Sequence, residues 1–383
     1  MFALSLISAL LNAPCPQPGA WKASGTAIQV GRSFSTSSRD VSSAPAAGPI
    51  KTRILVCAPS NTAVDDLAWR IHKSCIGPSG TIGGLRVVRF GLLPGEERHE
   101  GRKRTQHSIR SKDSTFNARR DEFLYKINLE RIAATSAERR DILMKSHVVC
   151  TTLNSAGSKA FIDAATREDS SEFDVVIIDE ACQASEPSCL IPFKFNPDAV
   201  IMVGDPQQLP VTVRSQSAEK ANLGRSFFQR LQDCGWPVEM LRIQYRMYHE
   251  IARFPSSQFY GGQLITSPHL SKRFSPWYRH PCFPPLLVWN VRNGSMARNR
   301  KGGICNHSEK NFIVQNLLPA FAKEISPEHP IVQVGIISFY SDQVSSHELL
   351  TVCSVDVAMF EHVLRFMDVG LMYELLFVIS NIS

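Results

Sequence analysis

The chain is 383 residues long, 43% hydrophobic and 20% charged, with a formal net charge of +7. That length sets two compact domains as the expectation, and the apolar content rules out a chain too polar to bury real cores. Ten cysteines form no C-x-x-C pair and have no histidines at zinc spacing, which argues against a zinc module and for reduced, mostly buried thiols.

Residues 2–12 are apolar but lack a basic n-region, which weakens a secretory reading. No acid occurs before Asp40, and the stretch GRSFSTSSRD, with Arg32 and Arg39, is similar to a mitochondrial presequence; non-native sequence is the alternative. Residues 41–50 are rich in Ala, Ser, Pro and Gly and read as a linker. Residues 1–50 are therefore expected to be a poorly structured leader.

Next comes a series of short apolar runs that each end in small polar or acidic residues. Arg53-Ile54-Leu55-Val56-Cys57 runs into Ala58-Pro59-Ser60-Asn61-Thr62. His147-Val148-Val149-Cys150 runs into Thr151-Thr152-Leu153-Asn154-Ser155. Val175-Val176-Ile177-Ile178 runs into Asp179-Glu180, and Ala199-Val200-Ile201-Met202-Val203 into Gly204-Asp205-Pro206-Gln207-Gln208. Val334-Gly335-Ile336-Ile337 runs into Ser338-Phe339-Tyr340. Continuous β-branched runs without alternation read as strands buried on both faces of a parallel sheet, whose ligands bind at the strands' carboxyl ends. An Asp at such an end suits Mg²⁺, and a following Glu suits an attacking water.

Between these runs lie helical patterns. Gly77–Gly84 (GPSGTIGG) lacks a lysine and reads as a turn. Arg98, Arg102, Lys103, Arg104, Arg110, Lys112, Arg119 and Arg120 cluster with only Glu100 and Asp113 among them, a stretch suited to phosphate contacts or to a solvated insertion. From Phe116 the pattern turns helical with Phe123 and Ile127 on one face, and Thr135 with Glu138 reads as a capping box for a helix toward Leu143. At the far end Val369–Ser380 is apolar but too short to span a bilayer and contains Glu374.

In order, ILVCAPSNTAVDDL, VVCTTLNSAGS, FDVVIIDEACQASEPSCLIPF, IMVGDPQQLPVTV and LRIQYRMYHEIARFPSSQFYGGQL closely resemble motif Ia, the next nucleic-acid motif, the Walker B motif II, motif III and the QYRM-type motif. The family they resemble is the senataxin-type, Upf-like branch of superfamily 1 RNA/DNA helicases. VGIISFY is similar to a later strand of the same family. Five motifs in family order are far more specific than a lone glycine-rich match. The likeness runs from about Arg53 to about Val344.

The departures are equally plain. No G-x-x-x-x-G-K-[ST] loop precedes Ile54: Gly48-Pro49-Ile50-Lys51-Thr52 abuts the strand directly, with no helix between. The later Gln-Gly-rich motif V and Arg-bearing motif VI do not occur, and Tyr248-His249 stands where relatives have His-Pro.

The resemblance implies an α/β protein of two RecA-like parallel-sheet domains of the P-loop NTPase helicase type, both incomplete. Residues 51–240 would form the first, with a helical, basic insertion at about 95–146. Residues 241–347 would form part of the second, and 348–383 a divergent tail. It implies ATP and Mg²⁺ as cofactors, single-stranded RNA or DNA as partner, no membrane association, and a monomer. Asp179 would bind Mg²⁺, Glu180 would activate water, Gln208 would sense the γ-phosphate, and Arg246 would stabilise transition-state charge. Tyr245 would stack on adenine, with Asp205 in the same nucleotide site; Tyr245 as an ordinary core residue is the plain alternative. Pro59, Ser60, Asn61, Thr152 and Ser155 would meet the nucleic-acid backbone. Three functions stay open: an ATP-dependent helicase impaired in hydrolysis as it stands here, a single-strand-binding module without turnover, and a non-functional fragment. The resemblance implies a nuclear protein, the leader a mitochondrial one.

Overall fold

The computed structural model describes residues 7, 52–77, 80–91, 114–166, 173–271, 280–292, 294–298, 303–325, 333–337, 356–360 and 376–379. The chain divides into two compact units, Met1–Glu239 and Met240–Ser383.

The first unit is built on five strands: β1 (Ile54–Ala58), β2 (Val87–Phe90), β3 (Val148–Thr152), β4 (Val175–Ile178) and β5 (Ala199–Met202). Their order across the sheet is β2-β3-β1-β4-β5 and every pairing is parallel. In register, Ile54 lies between Val148 and Val175, and Val175 faces Ala199. Strand ends therefore line up, and all five chains leave the sheet at one edge.

Alternate residues of each strand feed two cores. Leu55, Cys57, Val149, Val176, Ile178 and Val200 face one side; Ile54, Val56, Val148, Cys150, Ile177 and Ile201 face the other. A sheet buried on both faces needs continuous apolar strands, which is why these runs lack alternation. Helix α1 (Asn61–Ser74) covers the second face through Ala63, Val64, Leu67, Ala68 and Ile71. Leu124 of α2 (Ser114–Ile127) joins it, with Phe123 and Ile127 packed alongside. Ile7 is helical and buried in the same core. On the first face lie Leu143 from α3 (Ser136–Lys145), Phe161 from α4 (Lys159–Ala165), and Phe227 and Phe228 from α5 (Phe227–Asp233). Phe195 meets Phe161 and Phe173 edge-on at 5.5 and 5.7 Å, the favoured aromatic geometry.

The sequence-expected turn at Gly77 is present: Gly80 N donates to Gly77 O at 2.8 Å and Gly77 N to Thr81 O at 3.0 Å. The capping box is also present, with Thr135 Oγ1 accepting from Glu138 N and Glu138 Oε2 accepting from Thr135 N. Of the basic cluster, Arg98 through Lys112 lie outside the described residues; Arg119 and Arg120 sit on α2. Eight cysteines are described, all free, and Cys57, Cys75, Cys150, Cys182 and Cys189 are buried. Burial pushes the Cys150, Cys182 and Cys189 thiols up to about 12, so they are inert packing residues.

The second unit holds smaller pieces. Strand β6 (Ile243–Gln244) pairs in parallel with β7 (Ile265–Thr266), flanking α6 (His249–Phe259). Strand β8 (Leu286–Trp289) is followed by an antiparallel pair, β9 (Met296–Arg298) and β10 (Ile304–Asn306). Strand β11 (Gln333–Ile337) includes the Val334–Ile337 run and pairs in parallel with β12 (Asp356–Phe360), while β13 (Leu376–Ile379) pairs in parallel with β8. The segment beyond residue 347 thus contributes two strands that its sequence, unlike that of any motif, does not announce. Among the described residues no helix is long and apolar enough to cross a membrane.

Candidate functional site

Four of the five strands deliver polar residues to the carboxyl edge, and each turn there is shaped by its own side chains. After β1, Ser60 caps α1 by accepting from Ala63 N at 3.2 Å. After β3, Thr152 Oγ1 accepts from Ser155 N at 3.1 Å and donates to Ser155 Oγ at 2.8 Å. Capping satisfies helix N–H groups that otherwise lack partners, which explains Ser and Thr at these positions.

After β4 the chain turns sharply. Asp179 N donates to Cys57 O at 2.8 Å, continuing the sheet by one residue. Glu180 then adopts φ 52°, ψ 38°, the left-handed region that non-glycine residues avoid. Gln183 Nε2 donates to Glu180 Oε2 at 3.0 Å, so the carboxylate is tethered as well as displaced. A residue held in an unfavourable backbone state at a ligand edge is the kind of strain that clusters at working sites.

After β5 the neighbouring loop closes against this turn. Val203 N donates to Ile178 O at 2.8 Å and Ala181 N to Val203 O at 2.9 Å. Gly204 has no side chain for a physical reason: a Cβ there would lie 2.9 Å from both Cys182 N and Cys182 Sγ. Asp205 shapes its own loop, accepting from Gln207 N at 2.9 Å and from Gln208 Nε2 at 2.8 Å. Asp179, Glu180, Asp205 and Gln208 therefore sit on adjacent loops at one edge. Glu186 and Arg230 brace the segment beyond, with Arg230 Nη2 at 2.7 Å and Nε at 2.8 Å from the carboxylate.

A cleft of about 500 Å³ opens at this edge, lined by Pro59, Asn154, Gln183, Ser188, Thr212 and Arg214 among others. Of the residues expected to meet nucleic acid, Ser60 and Asn61 are exposed, Pro59 and Ser155 half-buried. Thr152 is buried, with its hydroxyl turned into the cap; its exposed neighbour Asn154, which sequence reasoning passed over, lines the cleft instead. Sequence reasoning also passed over Arg89 and Asp65, a buried ion pair at 2.9 Å behind Asn61. Only a lone basic residue inside an apolar run hinted at it.

Tyr245 and Arg246 lie in the second unit, between β6 and α6. Gln244 builds their turn: its Oε1 accepts from Arg246 N at 2.9 Å and Met247 N at 2.7 Å, and its Nε2 donates to Met247 O and Thr266 Oγ1. Tyr245 is 55% exposed, which excludes the ordinary-core reading.

The donor set at the first unit's edge fits Mg²⁺, a hard cation that takes one or two carboxylates and completes its shell with water and phosphate. Asp179 is the carboxylate placed at the strand end, with Glu180 and Asp205 beside it. The triphosphate is a different matter. Its cradle needs a run of backbone N–H groups from a glycine-rich loop and a lysine ahead of β1. The Gly48–Thr52 stretch runs straight into the strand, and all of it but Thr52 lies outside the described residues.

A family model described as an AAA domain matches residues 5–118 and 95–216, and a second AAA-domain model matches residues 223–352. The probable helicase MAGATAMA 3 of Arabidopsis thaliana is 34% identical over 77% of this chain and 35% of its own length. The ATP-dependent helicase upf1 of Schizosaccharomyces pombe is 31% identical over 76% of this chain and 31% of its own. The probable helicase senataxin of Mus musculus is 29% identical over 76% of this chain and 13% of its own. The chain thus spans about a third or less of the length of these relatives.

Proposed function

The chain belongs to the AAA-domain family of superfamily 1, Upf1-like helicases, and on that premise we propose that it is the strand-gripping, metal-binding portion of an ATP-dependent RNA or DNA helicase. Pro59, Ser60, Asn61 and Ser155 meet the sugar-phosphate backbone of a single strand, with Thr152 setting Ser155 in place. Contacts to sugar and phosphate fix register without reading bases, so binding is tolerant of sequence. Asp179 holds Mg²⁺, which when bound polarises a phosphoryl oxygen. Beside a bound nucleotide Glu180 would orient and deprotonate the attacking water, and Gln208 would link that site to the strand through its loop. Tyr245 would stack on the adenine ring and Arg246 would offset developing charge. The sequence holds no G-x-x-x-x-G-K-[ST] loop to cradle a triphosphate, so by itself this chain binds a strand without turning over ATP. The protein acts as a monomer in the nucleus.

One observation carries this reading: adjacent parallel strands end at a single sheet edge in Ser60 and Asn61, Thr152 and Ser155, and the Asp179–Glu180 pair. The test is a titration of fluorescently labelled single-stranded RNA and DNA at roughly 50 and 200 mM salt, a range over which phosphate-dominated binding weakens strongly. Binding should tolerate changes of sequence and fall steeply with salt. Affinity that ignores salt, or is absent at the lower salt, contradicts the reading.

A further inference from the structure

Arg89 is the third residue of β2, an outer strand whose alternate residues Val88 and Phe90 face one core while Val87 faces the other. The Arg89 side chain is fully buried, 0% exposed. A buried guanidinium is costly unless its donors are taken, and here each nitrogen has a partner. Nε donates to Asp65 Oδ1 at 2.9 Å, Nη2 to Asn61 Oδ1 at 2.9 Å, and Nη1 to Phe90 O at 3.2 Å. Asn61 and Asp65 are four residues apart on α1, so both reach the strand from one helical face.

The chemistry of that contact dictates more than stability. A guanidinium carries donors and no acceptor, whereas an asparagine side chain has one oxygen and one NH₂. Arg89 therefore accepts only one flip of the Asn61 amide, with Oδ1 inward and Nδ2 turned away from it. Asn61 is exposed, at the first turn of α1 beside the Ser60 cap, and with Oδ1 taken by Arg89 its NH₂ is the part of the amide left to donate to an anion at that edge. The same guanidinium reaches the next loop. Gly91 has φ +110°, and a Cβ there would lie 3.0 Å from Arg89 Nη1 and 3.2 Å from Ser155 Oγ. Gly91 O is held by Asn128 Nδ2 at 2.9 Å. One buried residue thus sits behind both loops that bear backbone-contacting groups.

We propose that Arg89 is a positioning residue for nucleic-acid binding: it locks the Asn61 amide with its donors outward, presenting them to a phosphate oxygen. This deepens the strand-binding reading and rests on it. The discriminating variant is Asn61→Asp. An aspartate keeps an oxygen for Arg89, with charge added, so the folded network survives; toward the strand it offers an acceptor and a negative charge in place of donors. Losing a hydrogen bond to a charged group is worth roughly tenfold or more in affinity. Titrations of the full chain with a labelled oligouridine, well below the unfolding midpoint, should show Asn61→Asp binding at least about tenfold more weakly than the parent, with an unchanged or raised midpoint. Arg89→Lys, which keeps the charge but not the fork, should weaken binding in the parent and add no further loss in the Asn61→Asp background. Asn61→Asp binding as tightly as the parent overturns the proposal, as does full additivity of the two substitutions, which would make Arg89 a merely structural residue. A parent chain that binds no oligouridine even at low salt is a separate result and sinks the strand-binding reading itself.

Discussion

Glu180 shows how one residue serves two demands that oppose each other. Its left-handed backbone costs a non-glycine residue about 1–2 kcal/mol, and the hydrogen bond from Gln183 at 3.0 Å returns only part of that. A glycine would adopt the same φ of 52° without steric cost. Glu180→Gly is therefore expected to raise stability by about 1 kcal/mol, read as a later urea midpoint, while removing the carboxylate proposed to act on water. An unchanged or earlier midpoint would show that the conformation stores no strain. Asp179 and Glu180 were legible in the sequence because they follow an unbroken β-branched run. The strain at Glu180 was not, because it arises where the loop after β5 closes on the turn through Gly204. Arg89 was hidden for a related reason. Its partners Asn61 and Asp65 precede it by 28 and 24 residues, and only the parallel pairing of β2 with β3 brings it under α1.

At the scale of elements, caps and strands were the most legible features, since each rests on a local rule. The Thr135–Glu138 box was read from spacing alone and its reciprocal hydrogen bonds are present. Helix α3 buries only Leu143, so it depends on its cap more than α1 does. Thr135→Ala should lower stability by about 1 kcal/mol, measured by thermal unfolding. Glu138 adds a pH dependence of known sign. Hydrogen bonds from the backbone N–H groups of Thr135 and Ala134 hold its carboxyl below the usual carboxylate range. A depressed acid stabilises the fold above its unfolded pKa and loses that contribution as pH falls through the folded one. Glu138→Gln should accordingly melt below the parent at neutral pH, and the gap should close in acid. A gap that stays constant with pH would count against the box. Strand β2 was not legible, because Arg89 interrupts the apolar pattern that marks its neighbours. Strands β12 and β13 were not legible either, since the segments around them lack both the repeating pattern and the motif context of the first unit.

At the scale of the whole molecule, the first unit is a doubly covered parallel sheet whose carboxyl edge carries the residues proposed to meet a single strand and the Asp179–Glu180 pair proposed to serve hydrolysis. A parallel sheet buried on both faces follows from the continuous apolar runs, so this much of the architecture was readable in advance; the order of the strands, with β2 at one side, was not. In the second unit, Tyr245 and Arg246 lie on a turn organised by Gln244. The sequence holds no G-x-x-x-x-G-K-[ST] loop for a triphosphate, and positioning is most of what a phosphoryl-transfer site contributes to rate. The most direct measurement is steady-state ATP hydrolysis by the purified 383-residue chain with Mg²⁺ and saturating single-stranded RNA, beside its Glu180→Gln variant. The two are expected to be indistinguishable, with RNA stimulating neither. RNA-stimulated turnover that disappears in Glu180→Gln would contradict it, and would mean that a phosphate-binding loop of another kind lies within these residues.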